Sequence, residues 1–463
     1  MVVNLKDTIV ALSTPEGSGA IAVIRLSGEK TFEILAPFSK VDFSKKDSHS
    51  AHFTLFKNGD EILDECVITI FKGPNSYTAQ DIAEISCHAS SYIIQRILDS
   101  LLNNGARLAS PGEFTQRAYL NGKLDLSQAE AVGDLIASST EHQHKIALHQ
   151  LKGGVSNKVK ELRGNLIEFA SLIELENDFG EEDVEFADRN ALSNQVNEVI
   201  DLIDSLASSF EYGNAIKKGI PVAIIGKPNV GKSTLLNELL QEEKAIVSDI
   251  PGTTRDVIED SVQIDGYLYR FVDTAGIRET DDVVETLGIE RTFDQIKKAQ
   301  IVLFLSEFNE DFEDIVRDFK QIEFQPNQKR IILLNKVDLY DHTCHSYDVE
   351  ESVSTLTGRT KTILLSAKNG QGIDDLKKEL VTTVSNLKGA GQDLIISNMR
   401  HMSVLQNTKS SLLDVREGIN SGIPSDLIAI DLRRAMNYLG EISGEISTDD
   451  LLESIFSNFC IGK

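Results

Sequence analysis

Short apolar runs mark the first part of the chain. Thr8–Leu12, Ala20–Leu26, Cys66–Phe71 and Ile82–Cys87 each read as strands, bounded by Gly, Pro, Asn or Ser. The period then changes: Ile94, Ile97, Leu98 and Leu101 share one helical face between Ser91 and Asn103, ahead of Gly105. From about 122 to 214 the period is helical. One stripe runs through Leu124, Leu126, Ala129, Val132, Leu135 and Ile136, another through Val196, Val199, Ile200, Ile203 and Leu206. From about 215 to 384 strands alternate with helices: Val222–Ile225, Leu268–Val272, Ile301–Leu305, Ile331–Leu334 and Thr362–Leu365. That alternation predicts a parallel sheet covered by helices on both faces. Helical spacing returns from about 385 to the end.

Helices on both sides of an α/β block predict an α/β domain inserted into a helical one. The expected fold class is multidomain α+β. An α+β domain spans 1–121, an all-α domain is split between 122–214 and 385–463, and the inserted α/β domain covers 215–384. The acidic stretch Glu174–Glu185 holds 7 carboxylates in 12 residues and reads as a solvated face or loop.

Composition narrows the class. The chain has 463 residues, 41% of them hydrophobic, so it folds rather than staying disordered. Its formal net charge of −26 and its lack of Trp argue against a nucleic-acid partner. The excess is uneven: −3 over 1–122, −9 over 123–219, −11 over 220–385 and −3 over 386–463. Four scattered cysteines, Cys66, Cys87, Cys344 and Cys460, exclude a zinc ribbon or disulfide framework and fit a reducing compartment. The start lacks a signal-peptide pattern, and no apolar run reaches 18 residues. A cytoplasmic protein with no membrane partner is expected.

The chemistry concentrates in the α/β block. Gly226-Lys-Pro-Asn-Val-Gly-Lys-Ser233 follows a strand and opens a helix, matching the phosphate-binding pattern G-x-x-x-x-G-K-[ST]. Its glycines let backbone N–H groups close around phosphates, Lys232 reaches the β and γ oxygens, and Ser233 can ligate Mg²⁺. Asp273-Thr274-Ala275-Gly276, Asn335-Lys336-Val-Asp338 and Ser366-Ala367-Lys368 follow in the order of GTPase switch and base-recognition motifs. Asp273 closes a strand, where it can hold Mg²⁺ through water. A carboxylate at Asp338 would accept two N–H donors from a guanine edge and reject adenine. Gly252-Thr-Thr-Arg-Asp256 supplies Thr254 as a second Mg²⁺ ligand. Where many GTPases carry a water-orienting Gln after the Asp-x-x-Gly segment, this chain has Ile277. Another group must orient water, and another positive charge must replace an arginine finger. That charge is worth about 10³–10⁵ in rate, or roughly 4–7 kcal/mol.

Four further segments sharpen the picture: Asp7-Thr-Ile-Val-Ala with Gly17, Gly19 and Ile24-Arg25-Leu-Ser-Gly28; Pro74-Asn-Ser-Tyr-Thr78 with Glu84; Pro111-Gly-Glu-Phe-Thr with Arg117-Ala-Tyr-Leu-Asn-Gly-Lys123; and the terminal Phe459-Cys-Ile-Gly-Lys463. With these the whole chain resembles the MnmE (TrmE) family of tRNA modification GTPases.

The resemblance implies a potassium-activated GTPase. GTP would contact Asn229, Val230, Gly231, Lys232, Ser233 and Thr234. It would also meet Ser248, Asp249, Ile250, Pro251, Gly252, Thr253 and Thr254, then Asp273 to Gly276, and finally Asn335, Lys336, Asp338, Ser366, Ala367 and Lys368. Asn229, Ser248, Ile250 and Thr253 match the K⁺ loop, held by facing G domains in a homodimer. Glu285 would position water; without the family it is one of several exposed carboxylates. The N-terminal domain resembles a tetrahydrofolate-binding and dimerisation fold. Arg25, Glu84, Lys123 and Lys463 match folate-contacting positions, with a methylene- or formyl-tetrahydrofolate as carbon donor. Read from the residues alone, Arg25 is equally a surface residue or a structural ion pair. Cys460 reads as an inert thiol, as a poor prenylation box, or, by resemblance, as a catalytic residue in the tail. A flavoprotein resembling MnmG, carrying FAD, would complete a heterotetramer that adds an aminomethyl-type group to C5 of the wobble uridine of certain tRNAs. The rival reading is a GTPase switch in ribosome assembly, which would carry a basic RNA-binding domain instead of these two chain ends.

Overall fold

Among the described residues two six-stranded sheets and a helical bundle organise the chain. The computed structural model describes residues 4–17, 19–178, 189–242, 261–272, 296–326, 328–340, 360–387, 394–457 and 459–462. The α+β, all-α and α/β parts expected from the periodicity are all present.

The first sheet is built from β1 (Ile9–Leu12), β2 (Ile21–Ser27), β3 (Ser50–Asn58), β4 (Glu61–Phe71), β5 (Ile82–His88) and the short β6 (Arg107–Leu108), with α1 (Thr31–Leu35) and α2 (Ser91–Asn103) as its helices. Its order is β3-β4-β5-β2-β1-β6, antiparallel except for the β1–β6 pair. Val10, Ile24, Leu26, Ile68, Ile70 and Ile85 meet Ile97 and Leu101 of α2 in a buried core. The apolar runs miss β3 and the first half of β4, because Phe53 and Ile62 point to solvent and blur the alternation.

Next come α3 (Glu113–Leu120), α4 (Leu126–Ala137), α5 (Glu141–Leu151), α6 (Gly154–Asp178), α7 (Arg189–Ser208) and α8 (Phe210–Lys218). Reciprocal capping boxes start α4 (Asp125 with Gln128) and α5 (Thr140 with Gln143). On α6, Val155, Val159, Leu162, Leu166, Phe169 and Ile173 recur at helical spacing and are all buried. The acidic stretch begins inside this helix, at Glu174–Asp178; its remainder lies outside the described residues.

The second sheet contains β7 (Ile220–Ile225), β8 (Ser261–Ile264), β9 (Tyr267–Phe271), β10 (Ile301–Glu307), β11 (Lys329–Asn335) and β12 (Lys361–Leu364), in the order β12-β11-β10-β7-β9-β8. Helices α9 (Lys232–Glu242), α10 (Phe312–Lys320) and α11 (Ile373–Ser385) accompany it. The sheet is not wholly parallel as the alternation predicts: β8 runs antiparallel to β9. Asp265 (φ 50°) and Gly266 (φ 78°) make a two-residue hairpin turn, and that Asp-Gly pair favours a hairpin over a crossover.

The chain closes with α12 (Met399–Asn420), α13 (Ser425–Ser443) and α14 (Asp449–Phe456). Leu405, Leu412, Leu432 and Leu439 share one core with the stripes of α6 and α7. Neither helical segment can bury its apolar face alone, so the α/β part is an insertion into a single packed unit. Each such side chain adds about 1.5–3 kcal/mol when buried.

Candidate nucleotide site and the seam at the chain ends

Strands β9 and β10 leave β7 on opposite sides, so the carboxyl end of β7 is the switch point of the second sheet. Open α/β sheets bind ligands at that place. The loop 226–231 lies there. Gly226 has φ 153°, and a Cβ on it would stand 2.1 Å from the Leu305 carbonyl oxygen, so only glycine lets the loop pass the end of β10. Asn229 (φ 64°) and Gly231 (φ 102°) continue the left-handed path, and Val230 plugs it with a buried side chain. Lys232 donates from Nζ to the carbonyls of Gly226 and Lys227, both at 2.8 Å, and spans the loop from the first turn of α9. Burial pulls its pKa below the usual lysine value. Ser233 and Thr234 stand exposed beside it.

The loops expected to recognise the base sit on the same sheet edge. Asn335, 3% exposed at the end of β11, donates from Nδ2 to the Val230 carbonyl at 2.8 Å and accepts the Ala367 N–H on Oδ1 at 2.9 Å. One amide therefore ties the phosphate loop, the Asn335–Asp338 loop and the Ser366–Lys368 loop together. Lys336 adopts φ 67° and pairs with Glu307. Asp338 lies exposed in the 3₁₀ turn Val337–Leu339. Ser366 and Ala367 are buried, and Lys368 is exposed. Motif reading misses the acidic turn after β10. Glu307 at the end of the strand holds Lys336, while Glu310 in the turn and Asp318 on α10 hold Lys227 of the loop 226–231, the last at 2.9 Å. Its only sequence signal is a lysine at a free position of the phosphate motif. Ser248, Asp249, Ile250, Pro251, Gly252, Thr253, Thr254, Asp273, Thr274, Ala275, Gly276 and Glu285 lie outside the described residues.

In the first sheet Arg25 of β2 and Glu84 of β5 are register partners, joined at 2.9 Å (Nε–Oε1) and 2.7 Å (Nη2–Oε1). The Arg25 guanidinium lies 5.7 Å from the ring centres of both Tyr77 and Phe114. Arg25 is thus a cross-strand ion pair that keeps 22% side-chain exposure. Lys123 lies in the exposed turn between α3 and α4, and Lys463 lies outside the described residues. Beside them is a network not anticipated from sequence. Arg117, wholly buried, binds Glu113 at 2.9 Å, the Asp7 carbonyl at 2.8 Å and the Asp7 carboxylate. Arg107 joins from the other side. The arginines hold the Asp7 and Glu113 pKa values below the usual range against the opposing effect of burial.

The C-terminal tail reaches this domain. Phe459 lies against Gly112 and Gly133, and the Cys460 carbonyl accepts the Gly112 N–H at 3.3 Å. Ser13 donates to the Gly462 carbonyl at 3.1 Å. A Cβ on Gly462 would sit 2.2 Å from the Leu12 carbonyl oxygen, which explains a glycine at φ 97°. Cys460 is half-buried at this seam, whereas burial pushes Cys66 up to about 12 and Cys87 up to about 11. Among the described residues no group of three or more His, Cys, Asp or Glu could hold a metal, and no helix is long and apolar enough to cross a membrane.

A family model described as the MnmE helical domain matches residues 126–460, and one described as the GTP-binding protein TrmE N-terminus matches residues 8–123. Proteins named tRNA modification GTPase MnmE are similar over their whole length. That of Christiangramia forsetii is 47% identical, covering 99% of this chain and 100% of the relative. That of Cytophaga hutchinsonii is 46% identical over 100% and 99%. That of Flavobacterium psychrophilum is 48% identical over 99% of both. With two family models covering both chain ends and full-length relatives near half identity, the chain belongs to the MnmE family of tRNA modification GTPases.

Proposed function

We propose that this chain hydrolyses GTP and acts in the modification of the wobble uridine of certain tRNAs. The observation that carries the reading is the Asn335 clasp. It draws the loops 226–231, Asn335–Asp338 and Ser366–Lys368 to one edge of one sheet, in a chain whose tail is seated on the first sheet. In this reading 215–384 is the G domain, 1–121 the folate and dimer domain, and 122–214 with 385–463 the helical domain.

Residues Asn229 to Thr234 would cradle the phosphates. The N-terminus of α9 and Lys232 would draw the β and γ oxygens inward, exchanging the lysine's two carbonyl partners for phosphate. Asp338 would accept the guanine edge, and Lys336, held by Glu307, would flank the base. Ser233 offers a hydroxyl to Mg²⁺, with Thr254 as second ligand. Asn229 offers a side-chain oxygen to K⁺, with Ser248, Ile250 and Thr253. When bound, the two cations supply positive charge at the β and γ phosphates, the task an arginine finger performs elsewhere. Glu285 would orient the attacking water. Arg25, Glu84, Lys123 and Lys463 would hold the folate, and Cys460 would act at the seam. A homodimer, an MnmG-like FAD partner and a cytoplasmic setting complete the proposal. GTP turnover measured in matched potassium and sodium buffers tests the cation site. Turnover should rise at least tenfold in potassium, and equal rates would remove K⁺ from the mechanism.

A further inference from the structure

Both chain connections of the α/β domain are fastened to one helix. On α4, Glu130 and Asp134 stand four residues apart, so they share a face about 6 Å apart along the axis. Asp134 takes the incoming chain: Lys217, near the end of α8 and just before β7, donates to it at 2.7 Å. Gln143 of α5 reinforces this by donating to the Ile216 and Lys217 carbonyls at 3.1 and 3.3 Å. Glu130 takes the outgoing chain. Arg400 reaches both of its oxygens at 2.9 Å, and His401 adds a third contact at 2.9 Å. The two connections also lock each other. Ile396 N–H donates to Ser209 Oγ at 2.9 Å, and a Cβ on Gly213 would stand 2.3 Å from the Ile396 carbonyl oxygen.

The same helix carries the seat of the tail. A Cβ on Gly133 would lie 3.2 Å from the Phe459 ring, and Cys460 is the next residue. Gly133 lies between Glu130 and Asp134, so the clamps on the α/β domain and the surface under the tail share one turn of α4. Glu130 and His401 are buried, so these bonds are not exchanged freely for water. A rotation of the α/β domain about its two connections must break these clamps or carry α4 with it. Carrying α4 shifts the surface under Phe459.

We propose that α4 is the coupling element between the nucleotide site and the Cys460 tail, with Asp134 and Glu130 as its positioning residues. The proposal rests on the reading of the chain as a GTPase whose tail takes part in modification, and it supplies the physical link between the two.

Alkylation of Cys460 by N-ethylmaleimide tests it in the full-length chain. The buried, poorly ionised Cys66 and Cys87 do not compete, and Cys344→Ser removes the fourth thiol. The alkylation rate should differ at least threefold between GDP and a non-hydrolysable GTP analogue. Asp134→Asn should keep GTP turnover within twofold and abolish that difference. The exchange Asp134→Lys with Lys217→Asp should restore it. Gly133→Ala, which leaves the clamps untouched, should raise alkylation equally in both nucleotide states. A nucleotide-dependent rate that survives Asp134→Asn, or no such dependence in a chain that turns over GTP, overturns the proposal. Absence of GTP turnover in the unsubstituted chain would instead overturn the functional reading.

Discussion

Asn335→Ala isolates the clasp at the candidate nucleotide site. The side chain closes two bonds, to the Val230 carbonyl and from the Ala367 N–H. Val230 is 3% and Ala367 1% exposed, so water does not simply replace the lost amide. An unpaired buried polar group costs about 1–3 kcal/mol, and two give roughly 2–6 kcal/mol. Both partners lie on loops that can relax, which favours the lower half of that range. Binding must then re-form the loop geometry, so nucleotide affinity should fall by about 2–4 kcal/mol, roughly 30- to 1000-fold. Titration with a fluorescent GDP measures this directly. Asn335→Asp keeps the acceptor for Ala367 but turns a carboxylate oxygen toward the Val230 carbonyl, where the two oxygens repel, so it should bind nucleotide no better than alanine. The unfolding midpoint of the helical bundle should not move, since Asn335 is remote from its core. A Kd within threefold of wild type for Asn335→Ala would refute the clasp.

Two further outcomes follow from named geometry. Asp338→Asn exchanges one acceptor for a donor, so preference should shift from guanine toward xanthine nucleotides at least tenfold; competition binding with GDP and XDP reads the shift, and unchanged selectivity removes Asp338 from base recognition. Glu130→Ala strips the buried partner of Arg400 and His401 and should cost about 3–5 kcal/mol in urea unfolding near pH 7. Burial raises the Glu130 pKa, but His401 and Arg400 outweigh it and bring the value to about 2, below the ordinary 4.5. Its contribution is therefore complete above pH 4.5 and fades as pH falls toward 2, so the gap between wild type and variant should narrow over that window. Burial lowers the His401 pKa below 6.5, so this histidine too favours the fold less as pH falls.

Strongly periodic elements were legible from the start. Ser91–Asn103 is a helix at the residues its stripe marks, and the apolar runs Val222–Ile225, Ile301–Leu305 and Ile331–Leu334 lie inside buried parallel strands. Elements with mixed faces were not. The β3–β4 hairpin exposes Phe53 and Ile62, so β3 and the first half of β4 carry no clear apolar run. At the site, motif spacing identified Asn335 but not its task, because the bonds to Val230 and Ala367 join residues 105 and 32 positions away. The Arg117–Glu113–Asp7 network and the Glu130–Arg400 clamp were hidden for the same reason: a charge reveals no partner until the chain has folded. Net charge misled more strongly. The −26 total argued against nucleic acid, yet −20 of it lies between 123 and 385, away from the first sheet and most of the C-terminal helices. Family membership then names tRNA modification in spite of that total.

The central claim is that this chain's GTPase site serves tRNA wobble-uridine modification. Mass spectrometry of tRNA wobble nucleosides in cells lacking the gene, with the chain restored as wild type or as Lys232→Ala, tests it most directly. The account predicts loss of the C5-aminomethyl-type nucleosides, recovery with wild type and no recovery with Lys232→Ala; an unchanged nucleoside profile in the deletion cells would contradict it.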